Sequence, residues 1–340
     1  MTSSDCVSGK FLHGSYRGKG YKWYVPSGYD QKCPVPLVVM LHGCTQNADD
    51  FAVGTGMNEL AEENNFIVLY PEQSKAANYN ACWNWFRATH QKRGKGEPSV
   101  IAGMIEKIKD GYSIDEKCVF AAGLSAGGAM SVILGVTYPD LFAGIGVCAG
   151  LEYKAAHHVM GAYAAMAKGG PNPVRQGRKA YEEMGPHAAV MPVIVFHGDR
   201  DETVALKNAD QLTTQWAVTN DLAQDGRLTG WMDDQADHII TGHVPGGREY
   251  QHYIYENDDG KAIMEKFIVA GMGHAWPGGS PKGSYTDSKG PDASRIMWEF
   301  FMRHTMDKEV REKAAYHAED KKSWWHKVYD FCLKKAQNKE

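Results

Sequence analysis

One serine occupies the centre of a motif that could present a nucleophile. Residues 123–127 read GLSAG around Ser125, with the apolar run 118–122 before them and a helix-like segment after them. Strand, tight turn and helix is the context in which G-x-S-x-G exposes a serine hydroxyl on strained backbone. The motif alone is weak evidence in a chain with 37 glycines. Its flanks nevertheless predict that Ser125 attacks a substrate carbonyl.

A serine nucleophile of this kind needs an acid and a base, which follow it along the chain in that order. Asp201 lies in the loop after the strand-like run 192–196, where its carboxylate could reach a histidine. Asp199 competes for the role, but it directly follows a glycine and is better placed to shape the turn or to pair with Arg200. Among 14 histidines, His274 stands out because it lies in a glycine-flanked loop after another strand-like run. The sequence therefore predicts a triad of the serine, Asp201 and His274.

The attack of a serine on an ester creates an oxyanion, which needs two N–H donors held in place. One donor is expected to be the amide of Ala126, the residue after the nucleophile. The second is expected to be the amide of Cys44, in the loop that follows the apolar run 37–41. His42 could be considered as a base, but its position at a strand end indicates that it supports this loop.

Strand-like and helix-like segments alternate along most of the chain. The expected strands are 21–25, 37–41, 66–70, 118–122, 145–148, 193–196, 250–255 and 267–270. The expected helices are 51–64, 99–112, 127–138, 207–222 and 292–304. Continuous Val, Ile and Leu runs between helices predict an α/β fold with a mainly parallel sheet covered on both faces. The loops after such strands meet at one edge, which would bring the three triad residues together.

Two stretches depart from this alternation. Residues 150–191 join a helical Ala/Met segment to a loop rich in Gly and Pro, which predicts an insertion over the sheet edge. Residues 306–340 are rich in Lys and Glu and predict a helix with one apolar stripe. We therefore expect a catalytic domain over residues 1–305 and a C-terminal helical extension over residues 306–340, without a separate substrate-binding domain.

The composition excludes several classes of function. The net charge is −4, which gives no reason to expect binding to nucleic acid or to an anionic membrane. No apolar run approaches the roughly 18 residues that span a bilayer. The seven cysteines form no Cys-x-x-Cys pair, and no nucleotide or metal motif is present, so we expect no metal and no cofactor. Cys118 and Cys148 lie in apolar runs and are expected to be buried thiols.

The longer motifs around these residues resemble the polyhydroxybutyrate depolymerase family of esterases, in its type 1 catalytic domain. The matching runs span most of residues 15–303 and comprise 36–46 (PLVVMLHGCTQ), 69–73 (LYPEQ), 82–86 (CWNWF), 122–130 (AGLSAGGAM), the loop with Asp201, 273–276 (GHAW), 285–287 (YTD) and 290–294 (GPDAS). Together with the alternation, they predict the α/β-hydrolase fold.

This resemblance implies the triad Ser125, Asp201 and His274, an oxyanion hole that includes the Cys44 amide, and cleavage of 3-hydroxybutyrate esters. The same broad family includes feruloyl and acetylxylan esterases, so a carbohydrate ester stays open as the alternative substrate. The expected partner is a polyester polymer or oligomer, acted on by a monomer or homodimer. Secretion is also implied, although residues 1–10 are polar and show no hydrophobic segment of a secretory signal, which leaves an intracellular location open.

Aromatic and cysteine side chains lie on loops expected at the active edge. We expect Trp276, Trp83 and Tyr153 to line the substrate site, and Trp276 most of all because it follows the expected base by two residues. Core packing is the alternative for each ring. Cys44 and Cys82 each lie beside a motif and could form a disulfide, or could remain free thiols.

Overall fold

A ten-stranded sheet forms the centre of the computed structural model, which describes residues 9–306. Its strands are β1 (Lys10–Tyr16), β2 (Lys19–Val25), β3 (Val35–Leu41), β4 (Ile67–Pro71), β5 (Ile114–Leu124), β6 (Gly144–Cys148), β7 (Val193–Gly198), β8 (His238–His243), β9 (Glu249–Glu256) and β10 (Ala262–Val269). They lie side by side in the order β1-β2-β4-β3-β5-β6-β7-β10-β9-β8. Two short strands after β10, β11 (Trp276–Pro277) and β12 (Thr286–Asp287), pair with each other.

The sheet is mixed, which corrects the expectation of a mainly parallel one. The six central strands from β4 to β10 pair in parallel, whereas β1 and β2 at one edge and β9 and β8 at the other pair antiparallel. All eight expected strands are present, and the outermost strands β1 and β8 were missed. Both outer strands are largely exposed and carry no continuous apolar run, so the pattern that reveals a buried strand is absent from them.

Eight α-helices occur within residues 9–306. They are α1 (Ala48–Thr55), α2 (Met57–Asn64), α3 (Gly96–Gly111), α4 (Ala126–Thr137), α5 (Val159–Lys168), α6 (Pro173–Met184), α7 (Lys207–Asp225) and α8 (Ala293–Met302). The segment expected as one helix over 51–64 is two helices, because Gly56 adopts a left-handed conformation (φ 64°) that ends α1.

The insertion expected at 150–191 contains α5 and α6. Asn172 caps α6 by accepting a hydrogen bond from the Arg175 amide, and Pro173 occupies the first turn, where its missing N–H costs nothing. Helix α6 packs against α7 and α4, and α5 also contacts α7. The insertion is thus anchored to the helical layer on one face of the sheet.

Two apolar clusters cover the two faces of the sheet. Along β3, Leu37, Val39 and Leu41 face the cluster that contains α3, α4 and α7, while Val38 and Met40 face the cluster that contains α1, α2 and α8. This alternation follows from the two-residue period of a strand. All five side chains are at most 1% exposed, so the central strands form a rigid support for the loops at their carboxyl ends.

The remaining expectations concern two cysteines, membrane-spanning helices and the C-terminal extension. Cys118 and Cys148 are buried free thiols, as expected. No helix within residues 9–306 is long and apolar enough to cross a membrane. The helical extension expected over 306–340 lies outside the described residues, apart from Met306.

Candidate active site

Ser125 lies at the sharp turn between β5 and α4. Its backbone has φ 57° and ψ −117°, a conformation that is strained for a residue with a side chain. The two glycines of the motif permit this turn. A Cβ atom on Gly127 would lie 1.9 Å from the Leu41 carbonyl oxygen, and one on Gly123 would lie 2.4 Å from the backbone of Gly127. Strand and helix therefore approach more closely than any side chain at these positions would allow.

Asp201 and His274 form a close pair, although 73 positions separate them in the chain. The distance from Asp201 Oδ2 to His274 Nδ1 is 2.7 Å. The other carboxylate oxygen accepts the backbone N–H groups of Thr203 and Val204 at 2.9 and 2.8 Å. Burial alone would raise the pKa of Asp201, but the hydrogen bond and charge of His274 and the Val204 amide hold it below its ordinary value. Asp201 is therefore an anion that orients the imidazole.

Asp199 joins two loops of the site through hydrogen bonds. Its carboxylate accepts the Gly271 amide at 2.6 Å, and its own amide donates to the Val269 carbonyl. It does not pair with Arg200 within the described residues. Asp199 thus fastens the loop that carries His274 to the loop that carries Asp201.

The loop after β3 approaches Ser125 from the opposite side. A Cβ atom on Gly43 would lie 3.7 Å from Ser125 Cβ, so the backbone of this loop runs beside the serine. Within residues 9–306, neither the Cys44 amide nor the Ala126 amide donates to a protein acceptor. Both N–H groups are therefore available for a ligand that binds beside Ser125.

His42 supports this loop, as its position at a strand end indicates. Its Nδ1–H donates to the Gly43 carbonyl at 2.7 Å, and its Nε2 accepts the Gln73 amide at 3.1 Å. Burial lowers the pKa of His42 to about 4, so the ring is neutral at physiological pH. With both ring nitrogens engaged, His42 is a structural residue.

Side chains tie the loop after β3 to the loop after β10. Gln46 is buried; its Oε1 accepts the Gly43 amide at 2.9 Å, and its Nε2 donates to the Ser284 carbonyl at 3.0 Å. The Tyr285 hydroxyl lies 3.2 Å from the Thr45 hydroxyl. The segment beside Ser125 and the segment beyond the histidine are therefore held as one unit.

A disulfide joins Cys44 to Cys82. Cys82 belongs to a long irregular segment between β4 and α3, and Thr45 adds a backbone hydrogen bond to Asn80 of the same segment at 2.7 Å. The loop after β3 is thus fixed both to this segment and to the loop after β10.

Ser125 and His274 open into one cavity of about 770 Å³. Its walls come from the loop after β3, the irregular segment 75–87, helix α5 and the loop after β10. The aliphatic part of the lining consists of Ala76, Ala77, Leu124, Val159, Ala162 and Met166. Its size lies within the range of pockets for small organic ligands.

The three aromatic residues expected to line this cavity do not reach it. Trp276, Trp83 and Tyr153 are fully buried at 0% exposure, which corrects their assignment to the substrate site. The two indole N–H groups and the tyrosine hydroxyl each donate to an oxygen inside the protein. Satisfied polar groups let these large rings pack in the core, so they support the site from behind.

A different set of aromatic side chains lines the cavity. These are Tyr79, Trp85, Phe86, Tyr163 and Tyr285. Tyr79, Tyr163 and Tyr285 are 88%, 60% and 47% exposed. Sequence reasoning missed the three tyrosines and Phe86 because it favoured tryptophans next to the motifs. Tyr79 could have been found from the sequence, because it lies directly between Asn78 and Asn80 in a segment expected to be a loop.

No group of three or more His, Cys, Asp or Glu side chains in the part of the chain that the structure describes is placed to hold a metal ion. The arrangement instead combines a serine on a strained turn, a carboxylate–histidine pair and two available backbone amides. These are the parts that acyl transfer requires.

Comparison with known proteins identifies the family to which the chain belongs. The family model described as "Esterase PHB depolymerase" matches residues 19–232. Poly(3-hydroxyalkanoate) depolymerase C of Paucimonas lemoignei is 34% identical over 256 residues, which cover 75% of this chain and 58% of that protein. A probable acetylxylan esterase A of Aspergillus fumigatus is 31% identical over 204 residues, 57% of this chain and 53% of that protein. The chain thus spans little more than half the length of these curated relatives.

Among solved structures, an acetyl xylan esterase from Aspergillus awamori has a similar fold. The TM-score is 0.66 at 21% sequence identity, and the match covers 86% of this chain and 99% of that chain. At this identity the likeness concerns the fold alone.

Proposed function

We propose that this chain, which belongs to the PHB depolymerase family of esterases, is a carboxylic ester hydrolase, specifically a serine esterase of the α/β-hydrolase fold. Its proposed substrates are short-chain-length polyhydroxyalkanoates such as poly-3-hydroxybutyrate. The observation that carries the proposal is the hydrogen bond between Asp201 and His274 in a loop pair that shares one cavity with Ser125.

The proposed reaction is acyl transfer in two steps. His274 removes the proton from the Ser125 hydroxyl as its oxygen attacks the ester carbonyl, and then donates that proton to the leaving alcohol. Water, deprotonated by the same histidine, then attacks the acyl-enzyme. The bond from Ser125 to the acyl group breaks, the histidine returns the proton to the Ser125 oxygen, and the hydroxy acid is released. Asp201 keeps the proton of the imidazole on Nδ1, so that Nε2 is the nitrogen that accepts a proton, and stabilises the imidazolium while it exists.

The amides of Cys44 and Ala126 are the proposed oxyanion hole. Neither amide donates to a protein acceptor within residues 9–306, and the loop that carries Cys44 runs beside Ser125. Preorganised amides of this kind favour the tetrahedral intermediate over the planar ester, since they lie where negative charge develops.

The lining of the cavity supports a polyester over a carbohydrate ester. A polyester repeat offers methyl groups and ester oxygens but few hydrogen-bond donors, which suits the small apolar side chains and the exposed rings of Tyr79, Tyr163 and Tyr285. A sugar would need a denser set of polar partners. The acetylxylan esterases among the relatives keep a carbohydrate ester as the second candidate.

We also propose that the enzyme works outside the cytosol. The Cys44–Cys82 disulfide supports this, because disulfides persist in oxidising compartments and are rare where thiols are kept reduced.

The Ser125→Ala variant tests the chemistry. We expect it to lower ester hydrolysis on the order of 10⁴-fold or more, because the acyl-enzyme cannot form, while the melting temperature stays close to that of the parent. Ser15→Ala, an exposed serine on β1, is the matched control and should keep full activity.

Substrate assays on the same preparations separate the two candidates. Release of soluble acid from a poly-3-hydroxybutyrate film is compared with hydrolysis of methyl ferulate and of acetylated xylan. Film turnover that exceeds both others is expected. Rapid deacetylation of xylan with an intact film would replace the polyester with the carbohydrate ester, and Ser125→Ala with parental activity would refute the mechanism.

A further inference from the structure

Among residues 9–306, two cationic side chains and no Asp or Glu line the candidate active-site cavity. Lys75 and Arg87 lie on its wall together with neutral and apolar residues. The whole chain has more acidic than basic residues, 41 against 37. A cavity with cations alone is therefore a local feature of this site, unrelated to the overall charge.

Neither cation has a protein partner in the described part of the chain. The side-chain nitrogens of Lys75 and Arg87 make no hydrogen bond and no ion pair with residues 9–306, and both residues are exposed. Arg93, in the same irregular region, shows the contrast, since it forms a two-pronged ion pair with Asp140 at 2.7 and 2.8 Å. The two lining cations are thus available to an anionic ligand.

The backbone holds both residues in place. Arg87 donates its amide to the Asn84 carbonyl at 3.0 Å, and its carbonyl accepts the His90 amide at 2.8 Å. Lys75 lies in a turn closed by the Asn78 amide and the Ser74 carbonyl at 3.1 Å. The Cys44–Cys82 disulfide connects the segment between them to the loop beside Ser125. The backbone of both residues therefore has a fixed relation to the serine.

We propose that Lys75 and Arg87 bind the free carboxylate of a hydroxy-acid oligomer whose ester bond lies at Ser125. This inference rests on the proposed function and names its substrate class. An oligomer of this kind is apolar along its length and anionic at one end, which matches a cavity with apolar walls and two cations. A guanidinium can bind a carboxylate through two parallel hydrogen bonds, and an ammonium adds a point charge. The enzyme then prefers oligomers and chain ends that carry a carboxyl group over the interior of a polymer.

Two substrates that differ at this carboxyl group test the proposal, with cleavage of the ester bonds between hydroxybutyrate units, not release of methanol, as the readout. The trimer of 3-hydroxybutyrate is assayed as the free acid and as its methyl ester with the whole 340-residue chain at 50 mM salt. We expect kcat/KM for the acid to exceed that for the methyl ester on the order of tenfold, mainly through KM. At 500 mM NaCl this ratio should fall, because salt screens a partly exposed ion pair.

The double variant Lys75→Gln, Arg87→Gln should bring the ratio of acid to methyl ester close to one. The double variant Lys10→Gln, Lys32→Gln, at two exposed lysines outside the cavity lining, removes the same two positive charges and should keep the parental ratio. A parental ratio near one, or a ratio that the double variant leaves intact, would overturn the carboxylate site.

The two proposals fail in different ways. If the methyl ester is cleaved by the parent and not by Ser125→Ala, the serine esterase stands whether or not the acid is preferred. If neither trimer is cleaved, the proposed function fails and the carboxylate site fails with it.

Discussion

Single residues divide sharply into those that sequence could assign and those that it could not. Ser125, Asp201 and His274 could be chosen because turn chemistry and chain order restrict where such residues work, and the structure brings Asp201 and His274 to 2.7 Å. Trp276 could not, because proximity to a motif does not say which way a ring points. Its indole is fully buried and donates to Ser294.

At this scale, replacing Asp201 by Asn tests the acid of the triad. The amide cannot hold the imidazole in the required tautomer and cannot stabilise its cation, so kcat should fall on the order of 10³–10⁴-fold. Steady-state kinetics on a p-nitrophenyl butyrate ester measures this loss.

Asp199→Asn is the matched control for that substitution. Its side-chain oxygen can still accept the Gly271 amide, so the loss should stay within about tenfold. Equal losses in the two variants would mean that both carboxylates only shape their loops.

At the scale of elements, the central strands could be predicted from the sequence, whereas the outermost strands could not. Residues 37–41 form a continuous apolar run that is buried on both faces, whereas β8 is exposed along nearly its whole length. The break between α1 and α2 depends on one left-handed glycine at position 56, which a periodic apolar pattern does not reveal. The links between loops, such as Gln46 to Ser284, join residues 238 positions apart and have no local signature.

Gln46→Ala tests whether the link between these loops positions the oxyanion hole. Without the side chain, Gly43 loses the acceptor for its amide and the Cys44 amide beside it is held less firmly. We expect kcat to fall on the order of 10–100-fold with KM changed by less than about threefold, because the transition state depends on that amide more than the bound ester does. A parental kcat, or a loss confined to KM, would contradict the assignment.

At the scale of the whole molecule, the α/β architecture could be predicted from the sequence, but the burial of a carboxyl group in it could not. Glu152, in the loop after β6, is 3% exposed, and neither carboxylate oxygen has a hydrogen-bond partner within residues 9–306. Burial raises the pKa of Glu152 to about 8, against the opposing charge of Lys179. No pattern along the chain marks this carboxyl group as buried, since Glu152 follows an apolar run in a loop where exposure is the usual outcome.

Glu152 makes the stability of the fold depend on pH. In the unfolded chain the carboxyl group loses its proton near its ordinary pKa, about 4.3. In the folded protein it keeps the proton up to about pH 8, so the unfolded state binds fewer protons between these values and stability falls as pH rises. The accumulated loss is on the order of several kcal/mol by pH 8.

Glu152→Gln should remove this dependence. The free energy of unfolding of the variant, from urea titrations, should gain on the parent steadily from pH 5 to pH 8 and show no such gain below pH 4. The test is how the difference in unfolding free energy between variant and parent changes with pH, since any fixed cost of burying the amide is the same at every pH. Glu182→Gln, an exposed residue of α6, should run parallel to the parent across the range. A difference between Glu152→Gln and the parent that does not vary with pH would show that Glu152 titrates normally.

The Cys44–Cys82 disulfide also affects the unfolded chain, in which no active site is formed. It joins residues 38 positions apart, so it removes from the unfolded chain every conformation in which the two segments separate. In the chain-entropy description, closing a loop of this length favours the folded state by about 4 kcal/mol. The same residue thus serves two states of the protein: its proposed amide donor acts in the folded enzyme, while its sulfur makes the disordered chain less probable.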